Sequence, residues 1–388
     1  MRYRYSKGPN GELEKKAVIY TSDEHCINSA DVDREAVSII RKLKSAGFDS
    51  YIVGGAVRDL ILGKKPKDFD IVSSASPARI KKIFRNSRII GRRFRLVHVY
   101  FPQRTFEVST FRSLKDGTTS NTFGTIDEDV LRRDFSLNAL YYDPEQKIVV
   151  DYVGGFKDIK KKLIKPIISL SEIFTDDPVR MIRAVKYAAL TDFSLPLNLK
   201  MKITHQSNLL TSISPSRLTE EIFKIINTDK ASPVVDLLDK TGLYSFLQPQ
   251  AAYLMKKDAA FRKNYLKTMS QLKGEKNQRG DALGALFRDY LESALKLSSD
   301  SEEVKKLKAG TYENYKEICR NVRSFVLPMN PPRFELEHAV KKFLSTYGIT
   351  IKRTLPKPAA SEAPPVKRKR SRRKRKQKAI NSDKNNSH

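Results

Sequence analysis

Cysteine is nearly absent from this 388-residue chain: Cys26 and Cys319 stand alone and far apart. No disulfide framework or cysteine-rich zinc site follows, and a reducing compartment is expected. The five histidines (His25, His98, His205, His338 and His388) are scattered without ligand spacing, which argues against a histidine metal site. No apolar run approaches the ~18 residues of a membrane span. Met1-Arg-Tyr-Arg-Tyr offers no apolar signal-peptide core, so a soluble, cytoplasmic protein with no membrane partner is expected. A P-loop is missing too: the glycine it needs before Gly63-Lys64 is Arg58, and Lys65 follows where Ser or Thr belongs, which excludes a P-loop kinase or ATPase. There is no internal repeat at a fixed period. Acidic residues are in short supply, 44 Asp+Glu against 74 Lys+Arg, for a net charge of +30. Residues 352–388 hold 14 Lys/Arg and 2 Asp/Glu, so the remaining body still carries +18. A body this basic favours a polyanionic partner such as nucleic acid.

What is present centres on residues 51–72. Three apolar residues run into Gly54-Gly55, a short amphipathic piece carries Arg58 and Asp59, and Asp68 and Asp70 flank Phe69 after a basic turn. In a strand, alternate residues share a face, so the two acids are expected side by side with Phe69 buried behind them. Carboxylates that close repel unless a cation lies between them. Oxygen-only ligands suit Mg²⁺, which takes one or two carboxylates plus substrate phosphates. Gly54-Gly55 lets backbone approach a phosphate, the following helix offers its N–H groups, and Arg58 adds charge. A lone Asp-x-Asp is more often a solvated turn, and Gly-Gly a tight turn. At this spacing, with the arginine between them, they read as a metal-dependent nucleoside triphosphate site.

Along the chain, residues 1–30 show little periodicity and read as a loosely ordered arm. A helix capped by Ser29 or Asp31 is expected to about Ser45, with Val37, Ile40 and Leu43 as its stripe and Gly47 ending it. Strand 51–53, helix 56–62, strand 69–73 and helix 77–86 follow, then two alternating segments, Arg95–Phe101 and Thr105–Phe111, that pair and extend the sheet. Residues 113–124 are Gly/Thr/Ser-rich and read as a mobile loop. A helix over 127–139 and a strand over 148–152 complete a mixed α/β half with a small sheet. Beyond about Lys157 the pattern is helical, near 158–163, 177–190, 197–209, 216–227 and 231–240, with weaker helices to about Tyr347. The expected division is an arm (1–30), an α/β head (31–152), a helical neck (153–228), a helical RNA-binding body (229–350) and a disordered basic tail (351–388). In the tail, 10 of the 12 residues Lys367–Lys378 are Lys or Arg. Such a segment binds phosphate backbone without reading sequence, although a nuclear localisation patch has the same composition.

Glu107, on the strand Thr105–Phe111, is either a third carboxylate beside Asp68 and Asp70 or an exposed strand residue. Asp134 and Asn138 read as i and i+4 neighbours on one helix, both able to face a ligand. A buried-side arginine there, in Arg132-Arg133, would hold triphosphate charge bidentately. In the run Asp176-Asp177-Pro178-Val179-Arg180, with Arg183 beyond, an acid caps the helix and proline opens it. Asp177, Arg180 and Arg183 fall at three-residue spacing on one face. Such residues are ordinarily a cap with ion pairs. As a base reader, the carboxylate accepts from an exocyclic amine and an arginine donates to a ring nitrogen, selecting adenine or cytosine.

Taken in order, four motifs carry a resemblance: Gly54-Gly55-x-x-Arg58-Asp59 with Asp68-Phe69-Asp70; Glu128-Asp129-x-x-Arg132-Arg133-Asp134-Phe135; Asp151-x-x-Gly154-Gly155-x-x-Asp158; and Asp177-Pro178-x-Arg180-x-x-Arg183-Ala184. The chain resembles the class II template-independent nucleotidyltransferases, which comprise bacterial poly(A) polymerases and CCA-adding tRNA nucleotidyltransferases. Ser214-Pro215-Ser216-Arg217 with Glu220-Glu221 resembles a further helical motif, and the match covers roughly residues 31–227. Gly63-Lys-Lys-Pro-Lys-Asp68, Gly91-Arg92-Arg93-Phe94-Arg95, Tyr141-Tyr142 and the basic tail are more similar to the poly(A) branch. The resemblance implies a polymerase-β-like head with an all-α neck and body. It implies Asp68 and Asp70 as Mg²⁺ ligands with Asp134 as the further catalytic acid. It also implies Gly54, Gly55, Arg58, Arg133 and Asn138 around triphosphate and sugar, and Asp177, Arg180 and Arg183 around the base. Three departures stand out: Asp176 where the family usually has Glu, Lys186-Tyr187 in place of Arg-Phe, and a loop after Arg112 shorter than in enteric-type poly(A) polymerases.

The implied reaction is attack of an RNA 3′-hydroxyl on the α-phosphorus of ATP, with two Mg²⁺ ions about 3.5–4 Å apart at the paired acids. Expected partners are ATP and RNA 3′ ends, with RNA-decay or RNA-chaperone proteins on the tail and a monomeric chain. A CCA-adding enzyme shares all of this chemistry, and an idle RNA-binding protein that keeps the fold is the rival from another class.

Overall fold

The computed structural model describes residues 2–7, 12–91, 95–113, 122–274, 279–295 and 312–351. The basic segment Arg92–Phe94, most of the expected mobile loop and the whole tail from Lys352 lie outside the described residues. The strands are β1 (Arg2–Lys7), β2 (Leu13–Tyr20), β3 (Ser50–Val53), β4 (Asp70–Ser73), β5 (Ser87–Ile90), β6 (Leu96–Tyr100), β7 (Thr105–Thr110), β8 (Leu140–Asp143) and β9 (Ile148–Asp151). They form one sheet in the order β1-β2-β9-β8-β3-β4-β7-β6-β5. Neighbours run antiparallel except β4 and β7, which are parallel with Ile71 opposite Val108.

The first 30 residues are therefore no loose arm. β1 and β2 make a hairpin, and Val18, Ile19 and Tyr20 pair with Asp151, Val150 and Val149 of β9. Only the end of β2 is buried, with Ala17 and Tyr20 inside and Leu13–Lys16 exposed. Its alternation is thus too short to register as a strand, and the Tyr20 ring secures it by packing 4.1 Å from that of Phe156.

The head helices are α1 (Ser22–His25), α2 (Arg34–Ser45), α3 (Gly55–Ile61), α4 (Pro77–Ile83), α5 (Ile126–Leu131) and α6 (Gly155–Lys160). The cap of α2 is Asp33 rather than Ser29 or Asp31, its carboxylate accepting from the Glu35 and Ala36 amides at 2.8 and 3.3 Å. Its buried stripe is Ala36, Ile39, Ile40 and Leu43, which leaves Val37 at the margin. From Ile173 on the described elements are helices: α7 (Ile173–Asp176), α8 (Val179–Thr191), α9 (Leu197–Gln206), α10 (Pro215–Ile226), α11 (Ala231–Lys240), α12 (Tyr244–Leu247), α13 (Pro249–Lys257), α14 (Ala259–Ser270), α15 (Arg279–Ala294), α16 (Tyr312–Phe325) and α17 (Arg333–Ser345). No described helix is long and apolar enough to cross a membrane.

Alternation splits the head strands between two apolar clusters. Ile52, Ile71, Val97 and Val108 belong to a core that continues through the helices as far as Ile349. Tyr51, Val53, Val72 and Tyr141 fill a smaller cluster on the opposite face. Asp70 and Glu107 share the parity of this second face, so the helix-poor side of the sheet presents the acids.

The expected helix over 127–139 is broken. α5 stops at Leu131, and a 3-10 turn over Ser136–Asn138 follows. Phe135 bridges to Pro166 and the Ser136 amide bonds to the Lys165 carbonyl at 2.9 Å, ties that take this backbone out of a helix. Asp134 and Asn138 are thus not i, i+4 neighbours on one helix. The Asp151–Asp158 motif explains the turn's placement. The Asp151 carboxylate accepts from the amides of Val153, Gly154, Gly155 and Phe156 at 2.8–3.1 Å, and Asp158 accepts from Ser136 Oγ at 2.7 Å. A Cβ on Gly155 would stand 2.2 Å from the Ser136 carbonyl oxygen, so only glycine lets α6 press against the turn.

Candidate active site

Strand β3 ends at Val53, and the φ of +73° at Gly54 turns the chain into α3 and favours a residue without a Cβ. A Cβ there would lie 3.8 Å from Oδ2 of Asp70, so this backbone borders the acid directly. Asp70 opens β4 opposite Val53. Asp68 is not in the strand as expected; it lies in the turn before it, although Phe69 is buried between two exposed acids as the alternation implied. The two still line one cleft. One step back from the Ile71–Val108 pair, Glu107 is the β7 neighbour of Asp70, and it also meets His98 Nε2 at 3.3 Å. Loss of hydration among these groups, then Glu107 and Asp68, push the Asp70 carboxyl up to about 6, against the pull of Arg133.

Facing the acids is a set of arginines held by a residue the sequence reading quoted without a role. Asp129, fully buried on α5, accepts from Arg132 Nη2 at 2.8 Å, Arg133 Nη2 at 2.9 Å and the Tyr141 hydroxyl at 2.8 Å. Burial opposes its charge, but Arg133 and Arg132 outweigh this and hold the carboxyl far below its usual range. Arg133 also donates to the Asn138 carbonyl at 3.2 Å. Arg58 donates to Asn138 Oδ1 at 2.9 Å and pairs with Asp59 at 2.8 Å. Arg112 is pushed down to about 10, first by burial and then by Arg132. A buried cation crowded by further cations marks a place prepared for concentrated negative charge.

Helix α8 supplies the far wall. The Asp177 carboxylate accepts from the Val179 amide at 3.1 Å and from Arg217 Nη2 of α10 at 2.6 Å. Buried Arg180 pairs with Asp176 and donates to the Ile173 carbonyl at 3.2 Å. Arg183 lies 3.5 Å from Asp134 and 3.6 Å from Glu221. The Arg58 guanidinium stands 5.7 Å from the Tyr187 ring centre, linking α3 to α8. Gly54, Gly55, Arg58, Asp70, Arg133, Asp134, Asn138, Asp177, Arg180 and Arg183 all border one cleft of about 620 Å³. Asp68 opens instead onto an adjoining cleft, which also reaches Asp70, and Glu107 borders neither. Asp134 sits on the α8 side, beside Arg183, while Glu107 sits beside Asp70. Arg217 and Asp129 escaped the reading; both were visible only as members of motifs, since ion pairs 40 or 4 residues long look alike in sequence.

Glu221, almost fully buried, is ringed by Lys186 and Lys224 at 3.0 Å and by Arg183. Burial raises its carboxyl, but Lys186 and then Lys224 prevail and hold it down to about 2. The same burial pushes the Lys186 ammonium below its ordinary value, so the cluster is worth less than the glutamate alone suggests. With the folded carboxyl depressed from 4.5, its stabilisation is present above the unfolded value and lost as pH falls from about 4.5 to about 2. Thermal melts across that window should show Glu221→Gln converging on the parent at low pH, from a deficit of no more than about 3 kcal/mol at neutrality.

Residues 50–165 match the family described as "Poly A polymerase head domain" and residues 192–255 that described as "Probable RNA and SrmB- binding site of polymerase A". Over these segments the chain is similar to the class II template-independent nucleotidyltransferases. Among its nucleotidyltransferase relatives is poly(A) polymerase I of Escherichia coli O157:H7, 39% identical over 260 residues, which cover 63% of this chain and 56% of that protein. The CCA-adding enzyme of Geobacillus kaustophilus is 36% identical over 236 residues, covering 59% of this chain and 58% of that one. The matches thus span little more than half the length of these relatives. A Bacillus stearothermophilus CCA-adding enzyme solved with CTP superimposes with a TM-score of 0.57 at 26% identity, over 82% of this chain and 83% of the other. The α/β head followed by helices is accordingly a nucleotidyltransferase fold.

Proposed function

We propose that this chain adds AMP from ATP to RNA 3′ ends without a template. What supports the reading most is a single juxtaposition: Asp70 and the Asp177–Arg180–Arg183 face border the same cleft, with the arginines between them. Among the described residues no group of three or more His, Cys, Asp or Glu is arranged to enclose a metal ion by itself. Mg²⁺ needs only one or two carboxylates when substrate phosphates complete its shell; loss of hydration, and after it the repulsion of Glu107 and Asp68, raise Asp70, and a cation relieves both. Asp68 and Asp70 fit as its ligands, with Glu107 beside Asp70; when bound, the ion supplies charge that activates a hydroxyl and neutralises a triphosphate.

The chain's own groups do the positioning. Gly54-Gly55 and Arg58 border the triphosphate, and Arg133, preset by Asp129, meets its charge without reorganising. Asp177 and Arg180 read the base edge, each already oriented by Arg217 or Asp176. Asp134, set against Arg183, is placed for the sugar rather than for the metal. The 3′-hydroxyl oxygen forms a bond to the α-phosphorus, the bond from that phosphorus to the bridging oxygen of the β-phosphate breaks, and pyrophosphate leaves while the hydroxyl proton passes to solvent. Catalysis rests on alignment and charge.

The head, neck and body divisions at residues 31–152, 153–228 and 229–350, a cytoplasmic location, a monomeric state and tail-bound RNA-decay partners belong to the same reading. CCA addition is the second reading, favoured by the relatives of that name. Supplying purified chain with an unstructured RNA or with tRNA lacking its terminus, each with ATP or CTP alone, decides: long ATP-only tails support the proposal, and three-nucleotide completion that requires CTP overturns it. No addition to any RNA would leave an idle binding protein. Asp177→Ala should raise KM for ATP about tenfold and admit GTP and UTP, since a lost base pairing costs ~1–3 kcal/mol; unchanged selectivity in a competition assay would remove α8 as base reader.

A further inference from the structure

Two clefts meet at the acids. The arginine cleft is bordered by nine Lys/Arg against three Asp. The other, about 760 Å³, is bordered by six Lys/Arg against five carboxylates, and Asp68 and Asp70 are two of those five. Gly55, Arg58, Asp70 and Lys224 line both. The cations also differ in kind. Lys64, Lys65 and Lys67 of the turn between α3 and β4 line the second cleft together with Lys224 and Lys230, and Arg58 is its single arginine. Lys64, Lys65 and Lys67 are exposed.

In-line displacement requires the attacking oxygen to approach the α-phosphorus opposite the departing pyrophosphate. Two grooves joined at Asp70 supply that arrangement. Their charges suit different guests: a triphosphate packs its charge onto adjacent phosphates and favours the forked geometry of arginine, whereas a single strand carries one charge per nucleotide and slides past lysine point charges. We propose that the lysine cleft, with Lys64, Lys65 and Lys67 along one wall, is the channel by which the last nucleotides of the RNA acceptor reach Asp70. The inference rests on the nucleotidyl-transfer reading above and adds the route of the second substrate.

The test uses the full chain with Lys64, Lys65 and Lys67 all changed to Ala, and a companion with all three changed to Arg. Readouts are the KM for an oligoadenylate of about six nucleotides, the KM for ATP, and the salt dependence of oligoadenylate binding by fluorescence anisotropy without ATP. The Ala variant should raise the RNA KM at least tenfold and flatten the salt slope by about 2, since each lost phosphate contact on a single strand removes about 0.7. Its KM for ATP and its kcat at saturating RNA should hold, and the Arg variant should restore RNA binding. Unchanged RNA KM and slope in an active enzyme would overturn the channel, as would a raised ATP KM with RNA binding intact, which would hand the lysines to the triphosphate. A parent chain that transfers no AMP while the Ala variant still flattens the slope would keep the channel and sink the transferase reading instead.

Discussion

Replacing Asp70 by Asn should abolish AMP incorporation, by roughly 10³-fold or more, while leaving the protein folded. The expectation follows from where the residue stands. Asp70 is exposed at the start of a strand, and its backbone pairs with Val53. Loss of hydration first, and then Glu107 and Asp68, hold its carboxyl up to about 6, so a neutral amide suits the site better than the charge it replaces. Far-UV circular dichroism and the melting temperature should therefore match or exceed those of the parent. Asp68→Asn should behave alike. Full activity in both variants would remove the metal-ligand assignment and, with it, the meaning of the two converging grooves.

Asp129→Ala should have the opposite character: a large loss of stability with activity lost as a consequence. The carboxylate is fully buried, engages two guanidinium groups and a tyrosine hydroxyl, and has no route to water. Removing it strands Arg132 and Arg133 beside Arg112, three cations in one wall with their shared counter-ion gone. Breaking a buried pair in this way costs about 3–5 kcal/mol. Chemical denaturation should show that loss, and Tyr141→Phe, which removes one hydroxyl and no charge, should lose only ~1–2 kcal/mol. Equal and small losses in both would mean that Asp129 is not the keystone of the arginine wall.

These contrasts bear on what could be read from residues alone. The order from β3 to α4, and β6 and β7 beyond, was legible because each carries a local signal: Gly54 for a positive φ, Ser76-Pro77 for a helix start, clean alternation in Thr105–Thr110; β5, only four residues long, was missed. The residues that gather around the cleft were legible for the same reason, since glycine, paired acids and spaced arginines sit in short motifs. What stayed hidden is what long-range contact decides. β2 shows alternation only where β9 and Phe156 cover it. The helix expected across Arg132–Asn138 yields to Lys165 and Pro166, partners some 30 positions on in the chain. Arg217 and Glu221 stood in a recognisable helical motif but had no partner or role until α10 was seen against α8. Charge in a sequence names its sign and never its neighbour.

The hairpin formed by the first twenty residues has a practical consequence for anyone handling this protein. Its second strand is a lid on β9, which otherwise would present a row of unsatisfied amides and carbonyls to solvent. Trimming the chain at a tidy-looking boundary near Asn28 would unmask that ribbon and invite chains to stitch together edge to edge. A preparation that precipitates after such trimming would be reporting on the sheet's border, with the reaction centre itself still intact.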